Sequence, residues 1–108
     1  MRMLNRYLKA LDSVKESHEQ LLAMKTSDDP EFEKLLNGVM SGLRYLIEDV
    51  RKEGKETSGQ RKKEWFDIGR KLAAIRETVS DLPDNRDLGF MVLSDYKEVR
   101  RLIDQMGC

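Results

Sequence analysis

Cysteine, histidine, proline and aromatic side chains are all scarce in this chain of 108 residues, which has one Cys, one His, two Pro, one Trp, three Tyr and three Phe. A lone cysteine, Cys108, cannot close an internal disulfide, so packing must hold the fold and a reducing, cytoplasmic compartment is expected. Few aromatics and few turn residues argue against a β-sandwich. Excess charge of either sign is also missing. Twenty Lys+Arg balance twenty Asp+Glu, so no whole-molecule field draws the chain to nucleic acid or to an anionic membrane, and any such role must come from local clustering. No apolar run approaches the roughly 18 residues that cross a bilayer. The start, Met1-Arg2-Met3-Leu4-Asn5-Arg6, is broken by charge before a signal-like apolar stretch develops.

What remains is a chain of 39% apolar and 37% charged residues, the balance of a helical protein, at a length that suits one domain, residues 1–108. Turn-forming clusters at Thr26-Ser27-Asp28-Asp29-Pro30, at Gly54 through Gly59 and at Ser80-Asp81-Leu82-Pro83-Asp84-Asn85 divide it into four segments of similar length. In the first, Leu4, Tyr7, Leu11, Val14, His18 and Leu21 recur at spacings of three and four, the seam of a helix lying nearly parallel to its neighbours. Phe32, Leu36, Val39, Leu43, Leu46 and Val50 do the same in the second. Trp65, Ile68, Leu72, Ile75, Val79 and Leu82 follow in the third, and Leu88, Val92, Tyr96, Val99, Ile103 and Met106 in the fourth. The run Phe90-Met91-Val92-Leu93 also reads as a short strand, but the length of the segment favours helix.

Boundary signals sharpen the spans. Pro30 after two acids suits a first helical turn. Gly54 is placed to stop helix two, and Thr57 with Gln60 has the capping-box spacing to open helix three. The expected helices cover about 3–25, 30–53, 58–80 and 86–106, and short connections between them predict an all-α, antiparallel up-down four-helix bundle. Two helical hairpins that open and pair with a second copy would bury the same stripes. Leu8, Leu22, Leu35, Met40, Ile47, Phe66 and Leu102 widen those stripes beyond a seam, which points towards a homodimer.

An up-down topology turns a neutral chain into an axial dipole. Arg51, Lys52, Lys55, Arg61, Lys62, Lys63, Arg100 and Arg101 gather at the end that holds the termini, with Arg2, Arg6 and Lys9 nearby and Glu53, Glu56, Glu64 and Asp104 diluting them. Asp28, Asp29, Glu31, Glu33, Asp81, Asp84 and Asp87 gather at the other. Such ends are commonly no more than solvated helix termini, but the basic one is the candidate binding surface for an acidic protein or a nucleic acid.

Residues suited to chemistry are few. His18 lies in the seam of helix one, where a buried ring with a local hydrogen bond is the expected role. Replacement by Leu is then expected to leave stability unchanged or raise it, because a poorly paired buried polar group is costly. Metal sites need three or four converging ligands, and Glu16 and Glu19 flank His18 on other faces. Cys108 has no base to activate it. No strand precedes a Gly-rich phosphate loop. Gly38 and Gly42 interrupt helix two at a cost of roughly 1 kcal/mol each against alanine. Their spacing suggests close approach of another helix, with Gly69 and Ala73 of helix three as the opposing face. The composite expectation is a non-enzymatic adaptor, inhibitor or regulatory subunit working by protein contact, without cofactor, metal or membrane. The alternative is a nucleic-acid-binding subunit using its basic end.

Overall fold

The stripes of the first three segments become the inward faces of helices, whereas the fourth does so only from Val92 onward, with Leu88 exposed. A computed structural model of the chain describes residues 2–24, 30–82 and 84–106, the first three by backbone alone. Expectations that fall on Leu4, Lys25, the turn at residues 26–29, Pro83 and Cys108 lie outside the described side chains. The helices are α1 (Arg2–Ala23), α2 (Pro30–Lys55), α3 (Gln60–Ser80), α4 (Arg86–Met91) and α5 (Leu93–Met106), with no strand among the described residues. The expected fourth helix is thus broken in two at Val92.

Four long elements close into a ring in which α2 packs on α1 and α3, and α5 packs on α1 and α3. Neighbours are antiparallel. Tyr7 near the start of α1 bonds to Glu53 near the end of α2, Arg61 at the start of α3 bonds to the carbonyl of Met106 at the end of α5, and Asp12 on α1 meets Arg100 on α5. The result is an up-down bundle of 46 × 22 × 19 Å, and the long axis suits α2, whose 26 residues span about 39 Å at 1.5 Å each.

Between the helices runs a core of Tyr7, Leu11, Leu21, Val39, Leu43, Val50, Ile68, Leu72, Ile75, Val79, Tyr96, Val99 and Ile103, each at most 2% exposed. Burying each large apolar side chain contributes roughly 1.5–3 kcal/mol against conformational entropy, which makes this shared interior the main source of stability. Tyr7 and Trp65 meet across the diagonal, ring centroids 5.7 Å apart. The Tyr7 hydroxyl donates to Glu53 Oε1 at 3.0 Å and accepts from Arg6 at 3.2 Å, so its polar tip is satisfied where the ring enters the core.

The turn between α2 and α3 differs from expectation. Helix two runs past Gly54 to Lys55, because Gly54 is buried in its last turn, and a Cβ there would lie 3.1 Å from the Phe66 ring. Thr57 closes that helix instead of opening the next. Its hydroxyl donates to the Glu53 carbonyl at 2.7 Å, and its amide bonds to the Gly54 carbonyl at 3.3 Å. Helix three begins after Gly59, whose φ of 71° supplies the reversal without side-chain capping. A residue with a Cβ would be strained at that angle.

The glycine pair in α2 also separates. A Cβ on Gly42 would come within 2.7 Å of Val14, so the close neighbour is α1 and not α3. Gly38 has nothing within 4 Å of that position, and Gly69 faces Val50 and Arg51 of α2. Only one glycine of the pair therefore serves close helix approach.

Candidate interaction surface

The chemistry-bearing residue of the core is His18, fully buried on α1. Its Nε2 lies 3.0 Å from the Gly89 carbonyl on α4, and its Nδ1 lies 2.8 Å from the Tyr96 hydroxyl on α5. A carbonyl only accepts, so Nε2 carries the proton and Nδ1 accepts from Tyr96. The rings meet edge to face at 5.3 Å. One neutral imidazole thus ties three elements together with both nitrogens engaged. Burial pushes its pKa below the ordinary 6.5, against the opposing pull of the Gly89 carbonyl and the nearby Glu19, and burial likewise raises the Tyr96 hydroxyl far above its usual value. A ring sealed in this way offers no free lone pair to a substrate or metal. No group of three His, Cys, Asp or Glu among the described residues is arranged to hold a metal ion. The expected neutral effect of His18→Leu is corrected here, because full pairing means that substitution orphans two buried groups.

Gly89 is the counterpart that sequence periodicity missed. The seam placed Leu88 in the core, whereas Gly89 is buried and Leu88 is exposed. A Cβ on Gly89 would meet Leu22 at 2.8 Å and Leu82 at 3.1 Å. The absent side chain lets the α4 backbone sit against α1 closely enough for its carbonyl to reach His18. Arg86 adds a second tie by donating to the Leu22 carbonyl.

This docking fixes what α4 shows to solvent. With Gly89 inward, the opposite arc carries Phe90, Asp87, Met91 and Leu88. Among the described residues, the exposed large hydrophobics are Tyr45 at 61%, Leu88 at 47%, Phe90 at 51% and Met91 at 67%. Three of the four therefore share one helix of six residues. The apolar residues expected to need a second copy are mostly covered by the chain itself. Leu22 and Ile47 are buried, while Leu8, Leu35, Met40 and Leu102 pack against the core and Phe66 is half-buried.

The eight basic candidates are all exposed, but they do not form one patch. Arg51 lines a groove of about 440 Å³ between α2 and α3, together with Arg44, Arg76, Glu48 and Glu77. Arg100 is bonded to Asp12 and Asp104, Arg101 to Glu98, and Arg61 to Met106. Those pairs hold the Arg100 and Arg101 guanidinium pKa values up and the Glu98 carboxyl down. Lys52, Lys55, Lys62 and Lys63 project at the turn between α2 and α3 with Glu53, Glu56 and Glu64 interleaved. At the other end Asp81, Asp84 and Asp87 are exposed beside α4, and Asp28 and Asp29 lie outside the described residues. A groove of about 540 Å³ between α3 and α5 is lined by charges of both signs, Glu64, Asp67, Arg70, Lys71 and Glu98 among them.

No described helix is long and apolar enough to cross a membrane. Comparison of the chain with known protein families, curated proteins and solved structures finds no match.

Proposed function

We propose that this chain is a non-enzymatic contact protein, an adaptor, inhibitor or regulatory subunit acting in the cytoplasm, and that α4 is its contact element. The observation that carries the reading is the concentration of Leu88, Phe90 and Met91 on one exposed turn and a half. Contiguous exposed apolar side chains on an otherwise charged surface mark interaction sites. The bundle behind them supplies rigidity, since Gly89, Arg86 and His18 hold the α4 backbone in place. A role for the basic end in nucleic-acid binding has weaker support, because Arg61, Arg100 and Arg101 are engaged with acids or a backbone carbonyl, Arg51 lies apart in the groove between α2 and α3, and the lysines alternate with glutamates. A homodimer likewise loses its premise when the wide stripes are covered within one chain, unless α4 itself provides the contact.

Affinity capture of tagged protein from its native lysate tests this, run with and without nuclease and compared with the Phe90→Ser/Met91→Ser and Lys62→Glu/Lys63→Glu variants. A retained protein that survives nuclease and is lost only with the α4 variant supports the reading. Retention that disappears with nuclease or with the lysine variant transfers the function to the basic end.

A further inference from the structure

Resting on that contact reading, we infer that the occupant of α4 is a cationic amphipathic helix of another protein. The charge around the patch selects it. Asp87 sits within the apolar arc, Asp84 precedes it by one turn and Asp95 follows it at the start of α5, all three exposed and none in an ion pair among the described residues. Asp81 adds a fourth carboxylate on the last turn before α4. Over residues 81–95 the sequence offers one cation, Arg86, and that side chain is half-buried with its guanidinium directed to the Leu22 carbonyl. The segment 81–95 that carries the apolar patch therefore has four carboxylates against one guanidinium, a formal charge of −3, with Lys97 two positions beyond it.

That charge decides between possible occupants. Nucleic acid and anionic lipid headgroups would be repelled, and a second copy pairing α4 on α4 would bring two acidic rings together. Like charges brought together across an interface oppose association. A helix with an apolar stripe flanked by Lys or Arg meets both features at once. Its stripe covers Leu88, Phe90 and Met91, and its cations reach Asp84, Asp87 and Asp95. A hollow of about 270 Å³ beside the patch has Asp84, Arg86, Asp87 and Leu88 on its wall. A cationic side chain entering there finds two carboxylates against one guanidinium already turned inward.

The probe is a synthetic 18-residue helix with leucines at i, i+3, i+4 and i+7 and lysines elsewhere, titrated into the full chain by calorimetry beside a counterpart carrying glutamates for the lysines. The basic helix should bind, weaken at least fivefold between 50 and 300 mM salt, and shift backbone amide resonances confined to residues 81–96. Phe90→Ser/Met91→Ser should lower its affinity at least tenfold, and Asp84→Asn/Asp87→Asn at least fivefold. All four positions are exposed, so circular dichroism melts should match the parent. Equal binding of the glutamate helix, binding unmoved by either pair of substitutions, or capture of phosphatidylserine vesicles through α4 would overturn the inference. If the lysate partner is lost with Phe90→Ser/Met91→Ser but kept with Asp84→Asn/Asp87→Asn, and the basic helix does not bind, the contact reading stands and the cationic occupant is wrong. If neither substitution pair affects the lysate partner and the basic helix does not bind, both fall.

Discussion

Replacing His18 by Leu should destabilise this bundle, although it exchanges a polar core residue for an apolar one of similar size. The imidazole gives Tyr96 its acceptor at 2.8 Å and Gly89 its donor at 3.0 Å, and all three groups lie in a region closed to water. The two orphaned buried groups together cost about 2–6 kcal/mol, and the added apolar burial returns about 1–2 kcal/mol, so the net loss lies within about 0–5 kcal/mol and centres on about 2.5 kcal/mol. For a chain of this length such a loss lowers the melting temperature by some 4–8 °C per kcal/mol. A cycle of His18→Leu, Tyr96→Phe and the double variant separates the two bonds. Removing both partners of the Tyr96 bond should cost less than the sum of the single losses, leaving the Gly89 carbonyl as the remaining debt. The same ring makes stability pH-dependent. Its folded pKa lies below 6.5, so between that lowered value and pH 6.5 the unfolded chain binds a proton that the folded chain refuses. The contribution is complete above pH 6.5 and falls on acidification, by up to about 1.4 kcal/mol at pH 5.5. Denaturant titrations at pH 7.5 and 5.5 should show that loss in the parent and a flat response in His18→Leu, since the chain has no other histidine. An unchanged or raised stability for His18→Leu at pH 7.5, or strict additivity in the cycle, would refute the account of His18 as a fully paired tie.

Further outcomes are set by the glycines and the charged ends. Gly38→Ala, with open space at its Cβ, should raise stability by about 0.5–1 kcal/mol in urea melts, whereas Gly42→Ala should lower it by about 1 kcal/mol because the new methyl meets the stiff Val14 side chain. Gly89→Ala should cost about 1–3 kcal/mol and speed amide exchange across residues 86–92 as α4 is pushed from Leu22 and Leu82. Lys62→Glu/Lys63→Glu should leave the unfolding free energy within about 1 kcal/mol of the parent in urea melts, about 0.5 kcal/mol for each exposed side chain. Light scattering should return a monomer mass; a dimer dissolved by Phe90→Ser/Met91→Ser would reassign the α4 patch to self-association.

Periodicity made most of the bundle legible because an apolar side chain every third or fourth residue has one geometric meaning on a helix. Tyr7, Leu11, Val14, His18 and Leu21 occupy the core as their spacing requires, and so do the stripes of α2 and α3. Periodicity fails where the buried residue has no side chain. Gly89 carries no hydrophobic signal, so periodicity points to Leu88, one position and about 100° away. The available clue was Phe90-Met91-Val92-Leu93, since four successive large apolar residues cannot all face one side of a helix. Thr57 misled for a different reason. A hydroxyl three residues before Gln60 has capping-box spacing, but the same hydroxyl can return to the carbonyl four residues back, and only the backbone path through Gly59 decides between them. The role of His18 in the core was readable, whereas its partners, 71 and 78 positions away, depend on packing that no local pattern records.

The pairing of α1 with α5 also orders the birth of the molecule. Residues 30–80 form adjacent antiparallel helices, α2 and α3, whose contacts close over a short stretch of chain, and α1 can settle on α2 as soon as both exist. The other flank of α1, with His18 on it, has no cover until Gly89, Tyr96 and Ile103 have been made. At synthesis rates of about 5–20 residues per second, the 23 residues from 80 to 103 take ~1–5 s. During that interval the flank of α1 that carries His18, Tyr7 and Leu11 lacks the cover that α4 and α5 give it. α5 is thus the lid of the core, the last element laid over the inner side of α1.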